Sequence, residues 1–213
     1  MTLNSKGVTK VLLFCAATVA VGISQANAQN LVENSEFDAN VIPWEDTPPF
    51  NEIQWDTADH SECGSASGSA QMTHLADPPS STNVSYCING LAGGIHYSTG
   101  AYFRIPPGQT PTGGISMNVS FYSEPDCTGT MTNQAQVPGI NTEETGVWVY
   151  GANEDQNTAA SVSSALIRVA LSKTTGAGPL VARFDGVWLR AEPDFLFGDD
   201  FESGSDCRWN VTP

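Results

Sequence analysis

Basic residues are scarce in this sequence. Eight Lys and Arg stand against 23 Asp and Glu in 213 residues, a formal net charge of −15. Two of the bases, Lys6 and Lys10, belong to an N-terminal leader argued below. The rest of the chain keeps six, with Lys173 its single lysine, and a net charge of −17. Such a surface repels phosphate backbones, and no Lys/Arg stripe exists to hold them, so nucleic acid is excluded as a partner. Anionic membrane surfaces are disfavoured for the same reason. Long apolar runs are missing too: past Ile23 nothing approaches the ~20 residues that span a bilayer, so no membrane insertion is expected. Neutral glycans, calcium ions and cationic partners are what this charge leaves open.

Cysteine is sparse, with five in the chain. Cys15 lies inside the leader: Lys6 and Lys10 precede the apolar run 11–23, and Ala26-Asn27-Ala28 closes it in the small-x-small form that signal peptidase accepts. Residues 1–28 therefore read as a signal peptide, and the mature chain is expected to be secreted, periplasmic or held at the cell surface. Cys63, Cys87, Cys127 and Cys207 remain, an even number in an oxidising compartment, which favours two disulfides. Cys87 follows a strand-like segment and Cys127 sits in the turn after another, which favours Cys87 with Cys127 and leaves Cys63 with Cys207. Zinc held by cysteine is disfavoured because no two cysteines have clip spacing, and His60, His74 and His96 are scattered.

What the sequence has in plenty is Gly, Pro, Ser, Thr and Asn, separating short segments of period two. In Ile115 to Phe121 every odd position is apolar, the mark of a half-buried strand. Tyr97, Ala101, Phe103 and Ile105 share one face of the segment 97–105, with Ser98, Tyr102 and Arg104 on the other. Segments 69–74, 83–88 and 147–150 read as further strands. Residues 158–171 fit helical and strand spacing, and Ile167-Arg168-Val169 tilts the second half to strand. Apolar parity switches at Asp185-Gly186, between Leu180, Ala182, Phe184 and Val187, Leu189, which predicts a β-bulge. Seven to nine short strands with turn clusters between them predict an all-β antiparallel sandwich over residues 29–191. Residues 192–213, where Phe195, Phe197, Phe201 and Trp209 alternate with acids, read as an appended tail.

The ends of the predicted domain carry a resemblance. Asn30-Leu31-Val32-Glu33-Asn34-Ser35-Glu36-Phe37-Asp38 followed by Trp44 resembles the opening of family 4, 9 and 22 carbohydrate-binding modules. Phe184-Asp185-Gly186-Val187-Trp188-Leu189 is similar to their closing strand, and the segment 64–70 stands where they enter an early strand. This chain has Ser35 where those modules usually have Gly and Asp38 where they usually have Glu. The resemblance covers about residues 30 to 191 and implies a galactose-binding-like jelly roll. It also implies a structural calcium ion on Asp38 and Asp185, with backbone carbonyls near Asn34 and Ser65 as helpers, oxygen donors of the kind a hard cation takes. The tail 197–204 followed by Trp209 resembles a terminal F-x-D-x-F-E-S-G motif of exported proteobacterial proteins.

Glycan binding needs aromatic faces for the C–H faces of sugars and polar neighbours for their hydroxyls. Rings pointing away from the predicted core supply candidates: Tyr102 with Arg104, Tyr122, and Trp148 with Tyr150. Trp44 and Trp55, in loop-like acidic segments, join them. The expected function is non-catalytic binding of a polysaccharide or surface glycan. A cell-surface or matrix spacer that recognises protein is the alternative, and a small glycosidase or lyase is a weaker one. The segment 64–68 is no nucleophile elbow, since Ala66 occupies its centre, and no P-loop, zinc-protease helix or dinucleotide fingerprint occurs. Spacing alone leaves a pair of facing carboxylates open. Oligomeric state is not legible. Seven acids lie between Asp38 and Glu62 and seven between Asp185 and Asp206. If the fold joins those regions, a cation or basic partner there relieves their repulsion.

Overall fold

A computed structural model describes residues 29–46, 51–61 and 67–192. The expected leader 1–28, Cys63, Ser65, Cys207 and the expected tail from 193 lie outside the described residues. Ten strands occur among the described residues: β1 (Glu45–Asp46), β2 (Asn51–Asp56), β3 (Ser69–His74), β4 (Ser80–Asn89), β5 (His96–Arg104), β6 (Thr112–Glu124), β7 (Thr128–Asn141), β8 (Val149–Asn157), β9 (Ser164–Thr175) and β10 (Leu180–Glu192). They form two five-stranded sheets, β1-β4-β9-β6-β7 and β2-β3-β10-β5-β8. Every strand-to-strand pairing is antiparallel. The all-β sandwich predicted from alternation is the fold observed. No described helix is long and apolar enough to cross a membrane.

Alternation sorts the side chains between faces. Ile115, Met117, Val119 and Phe121 of β6 and Ala165, Ile167, Val169 and Leu171 of β9 are buried from the first sheet. Tyr97, Ala101 and Phe103 of β5, with Ile105 just after it, are buried from the second. The ambiguous segment resolves as expected in its second half: residues 164–175 are strand β9, paired on both sides by β4 and β6. Three strands escaped the sequence reading. β7 is an edge strand with largely exposed side chains, a proline and three register shifts against β6, so no clean alternation betrays it. β1 and β2 are short edge strands in an acidic, proline-containing segment.

One end of the sandwich is closed by the segment before β1. Phe37 packs edge-on against Phe184 at 5.3 Å, and Trp44 lies 5.1 Å from Phe184 and 5.7 Å from Tyr86. Trp44 is thus corrected from candidate ligand ring to core residue: at 5% exposure it has no face to offer a sugar. A loop position on the page became a plug in space because the open end of a sandwich needs apolar cover.

A disulfide joins Cys87 of β4 to Cys127 in the β6–β7 turn, the favoured pairing. It reaches over β9, which separates β4 from β6 in the sheet. The loop it closes has a sequence separation of 40. By loop entropy, replacing both cysteines (Cys87→Ala with Cys127→Ala) is expected to lower the unfolding free energy by about 2–4 kcal/mol. Urea unfolding of the two proteins measures this, and midpoints that coincide would contradict it.

Candidate functional site

The predicted bulge lies where expected, with the register of β10 against β5 shifting between Asp185 and Trp188. Gly186 takes φ +53° there, a left-handed conformation that costs glycine little. Past Phe184, where the pairing of β10 with β3 ends, backbone groups of β10 are met by the N-terminal segment. Asn30 donates its amide to the Val187 carbonyl at 3.0 Å and accepts from the Leu189 N–H at 3.1 Å, and Val187 N–H donates to the Ser35 carbonyl at 3.1 Å. Leu31 N–H donates to the Leu189 carbonyl at 2.9 Å. These bonds seat Glu36 beside the bulge.

Before the bulge, Arg183 and Asp185 face outward in register with Arg104 and Tyr102 of β5. Arg183 makes a two-pronged ion pair with Asp56 at the end of β2 (2.9 and 3.0 Å), bridging over β3. From Asp56 the chain folds back through two side-chain-to-backbone turns: Asp56 accepts from the Ala58 N–H and Asp59 from the Ser61 N–H. This loop lays His60 over the outer face. Its ring stacks on Tyr102 at 4.1 Å and 23°, and its backbone N–H and Nδ1 both reach Asp185 Oδ2, at 3.1 and 3.0 Å. Asp185 Oδ1 accepts from the Gly186 N–H. The carboxylate of Asp185 is completely buried and accepts three hydrogen bonds.

Around Nδ1 of His60 three carboxylates converge: Asp185 at 3.0 Å, Glu36 at 3.8 Å and Asp59 at 3.8 Å. Burial lifts the Asp185 carboxyl above its ordinary pKa, against the hydrogen bonds and charge of His60. Burial also lifts Glu36, although about half its side chain is exposed; His60 opposes this, and Asp185, Asp59 and Asp38 add to it. Burial alone would depress His60, but the bond and charge of Asp185, then Glu36 and Asp59, hold it above its usual value. Burial works against the Asp59 charge as well, yet hydrogen bonds from Ser67 and Ser61 keep its carboxyl below the usual range.

Four of the predicted ligand residues meet on this face. Tyr102 lies 5.1 Å from Tyr150 with the rings tilted by 46°, and Arg104 sits 5.9 Å over Trp148. His60 meets Trp148 edge-on at 6.4 Å. Tyr150 is 49% exposed. Trp188, past the bulge, covers Gly100, where any Cβ would strike the indole, and is itself capped by Arg190 at 5.3 Å. Tyr122 belongs to β6 of the other sheet, so it stands apart from this group. Trp55 pairs with Ala70 on the inward parity at the rim, and its indole N–H donates to the Phe37 carbonyl at 2.6 Å. His60 was passed over in the sequence because its partner, Asp185, is 125 residues away.

Of the ligands implied for calcium, Asp185 lies at the bulge and Asp38 apart from it. Asp38 is exposed and absent from the group of donors that converge on Asp185, where Glu36 stands instead. The Asn34 carbonyl accepts from Phe37 N–H, and its side-chain amide donates to the Asn40 and Ile42 carbonyls. Ser65 lies outside the described residues. Asp185 accepts hydrogen bonds from the His60 N–H, the His60 ring and the Gly186 N–H. A hard cation would meet an imidazole nitrogen where it needs oxygen. Glu36 and Asp185 do form a close carboxylate pair, with donor oxygens within 4.8 Å. Asp185 is sealed from solvent, however, so it cannot attack a substrate from the face.

No family model matches the sequence, and no curated protein matches it. Solved structures do. An arabinose-bound GH51 α-L-arabinofuranosidase superposes with a TM-score of 0.57 at 17% identity, over 77% of this chain and 26% of that one. The enzymatically active domain of a bacteriophage CBA120 tailspike gives 0.54 at 14%, over 76% and 21%. This chain thus spans about a quarter or less of these two proteins. The C-terminal family 22 carbohydrate-binding module of Clostridium thermocellum Xyn10B gives 0.54 at 13% identity, over 76% of this chain and 94% of the module. At these identities the likeness is one of fold: a β-sandwich of the carbohydrate-binding-module type.

A methyl at Gly186 would lie 2.9 Å from the His60 ring and 3.1 Å from Tyr102. At Gly108, also with positive φ, nothing stands within 4 Å. Gly108→Ala is expected to cost about 1–2 kcal/mol from backbone strain alone, and Gly186→Ala distinctly more because it also lifts His60 off the face. Chemical unfolding of the two variants checks the order, and equal losses would contradict the contact.

Proposed function

We propose that this protein is a non-catalytic carbohydrate-binding module working outside the cytoplasm, with its glycan surface on the outer face of the second sheet. The observation that carries the reading is the meeting of Tyr102, Tyr150, Trp148 and Arg104 on one face, within a fold like that of a family 22 module. Aromatic rings offer flat apolar contact to sugar C–H faces, and Arg104 offers hydrogen-bond donors to hydroxyls. The exposed ring of Tyr150 favours this over a spacer role, for which the rings should be buried. The sealed state of Asp185 supports a binding role over glycosidase chemistry. Export is supported by the leader and by the Cys87–Cys127 disulfide, which belongs to oxidising compartments. The partner expected is a neutral polysaccharide or surface glycan, since a chain of net charge −15 repels acidic polymers.

Screening the protein against an array of neutral and acidic glycans tests the reading. Binding to at least one neutral polysaccharide class is expected. Tyr150→Ala and Trp148→Ala should each weaken it by about fivefold or more, since a stacked ring contributes roughly 1 kcal/mol or above. Absence of binding to every glycan would overturn the function, whereas binding untouched by both variants would move the site elsewhere on the molecule.

A further inference from the structure

The notch beside the bulge has donor chemistry of its own. One ligand atom each from Glu36, His60 and Asp185 lies within 4.8 Å of the other two. Nδ1 of His60 is hydrogen-bonded to Asp185 at 3.0 Å and has carboxylate oxygens of Glu36 and Asp59 each 3.8 Å away. A ring nitrogen facing three carboxylates can be satisfied by a proton on that nitrogen or by a metal ion on its lone pair. Three negative charges around one imidazole favour the occupant with more positive charge. An imidazole nitrogen combined with carboxylate oxygens suits zinc and neighbouring first-row ions and does not suit calcium.

Two of the donors are already held in place. Asp185 is buried and fixed by the Gly186 N–H, and His60 is held by its stack on Tyr102 and by its own backbone N–H on Asp185. The third is adjustable and wet: the Glu36 side chain is 47% exposed. Donor atoms around a tetrahedral zinc at ~2.0 Å sit roughly 3.3 Å apart, so rotation of the Glu36 side chain brings the group to bonding geometry. Its exposure leaves an entry path and room for water as a remaining ligand.

We propose that Glu36 Oε2, His60 Nδ1 and Asp185 Oδ2 form a binding site for a divalent transition ion of the zinc class, with the Asp59 carboxylate beside it. The ion would tie the N-terminal segment, the β2–β3 loop and the bulge of β10 to one another. This site stands independently of the glycan reading.

The experiment titrates metal-stripped protein with zinc chloride, cobalt chloride and calcium chloride, following heat of binding, the visible absorption of cobalt and the thermal unfolding midpoint. One equivalent of zinc should bind and raise the midpoint, cobalt should give the visible bands of a low-coordinate site, and calcium should do neither. Glu36→Gln, at an exposed position that leaves the fold intact, should weaken zinc binding by about tenfold or more. His60→Asn should abolish the cobalt bands, and its midpoint without metal shows whether it is folded. The proposal is overturned by no saturable zinc binding up to ~1 mM, by zinc affinity unchanged in Glu36→Gln, or by a larger midpoint rise with calcium than with zinc.

Discussion

A carboxylate buried at a break in a β-strand governs the arrangement of everything on the outer face. Asp185 has no solvent contact, and an ionised carboxylate in that position costs several kcal/mol unless it is hydrogen-bonded. Three donors bond it: the Gly186 N–H, the His60 N–H and the His60 ring. The first requires the bulge and the second requires the β2–β3 loop to fold back across its own sheet. That loop stays folded because Asp56 is pinned by Arg183, one outward position before Asp185 on the same strand. Arg183 and Asp185 thus form a pair of anchors, one holding the base of the loop and the other its tip. With the tip in place, His60 covers Tyr102 and directs the open aromatic surface toward Tyr150 and Trp148.

The end of β3 explains why the N-terminal segment lies where it does. Its pairing with β10 stops at Phe184, and beyond that point a second segment of chain must partner the backbone groups on that side of β10 or they are buried unpaired. Asn30 does this with one side chain, both donating and accepting, as a stretch of backbone would. Leu31 and Ser35 continue the pairing, and Phe37 and Trp44 then close the core over Phe184. Phe184 and Asp185 are adjacent in sequence and point to opposite faces, so one strand organises both the plug inside and the notch outside.

Strand character was legible over most of β3 to β6 and of β9 and β10 but only at the start of β8, and the parity change at Asp185-Gly186 located the bulge. Parity says which residues share a face but not which sheet owns that face. Tyr122 and Tyr102 looked equivalent on that basis, yet β6 and β5 lie in different sheets. Trp44 shows the opposite failure, since residues outside strands have no parity to read and the acidic neighbours of Trp44 masked its burial. The notch was invisible for a third reason. Glu36, His60 and Asp185 belong to three separate segments, and only closure of the fold makes them neighbours. The resemblance of the chain ends singled out Asp185 and Asp38, and the fold sets Glu36 beside Asp185.

The large negative charge has less need of general relief than its total implies. Asp56 is neutralised by Arg183, and Asp59 is stabilised by the hydroxyls of Ser61 and Ser67. Asp38, Glu45 and Asp46 face water, where repulsion beyond a Debye length of ~8 Å is screened at physiological salt. What remains unscreened is the group that burial has brought together around one imidazole nitrogen: Asp185 without solvent, Glu36 half in it, and Asp59 beside them. Charges in a partly dehydrated notch interact through a lower dielectric than charges spread over a surface. The acidity of the chain as a whole sets what it repels at long range, and three of its acids set what one small volume attracts.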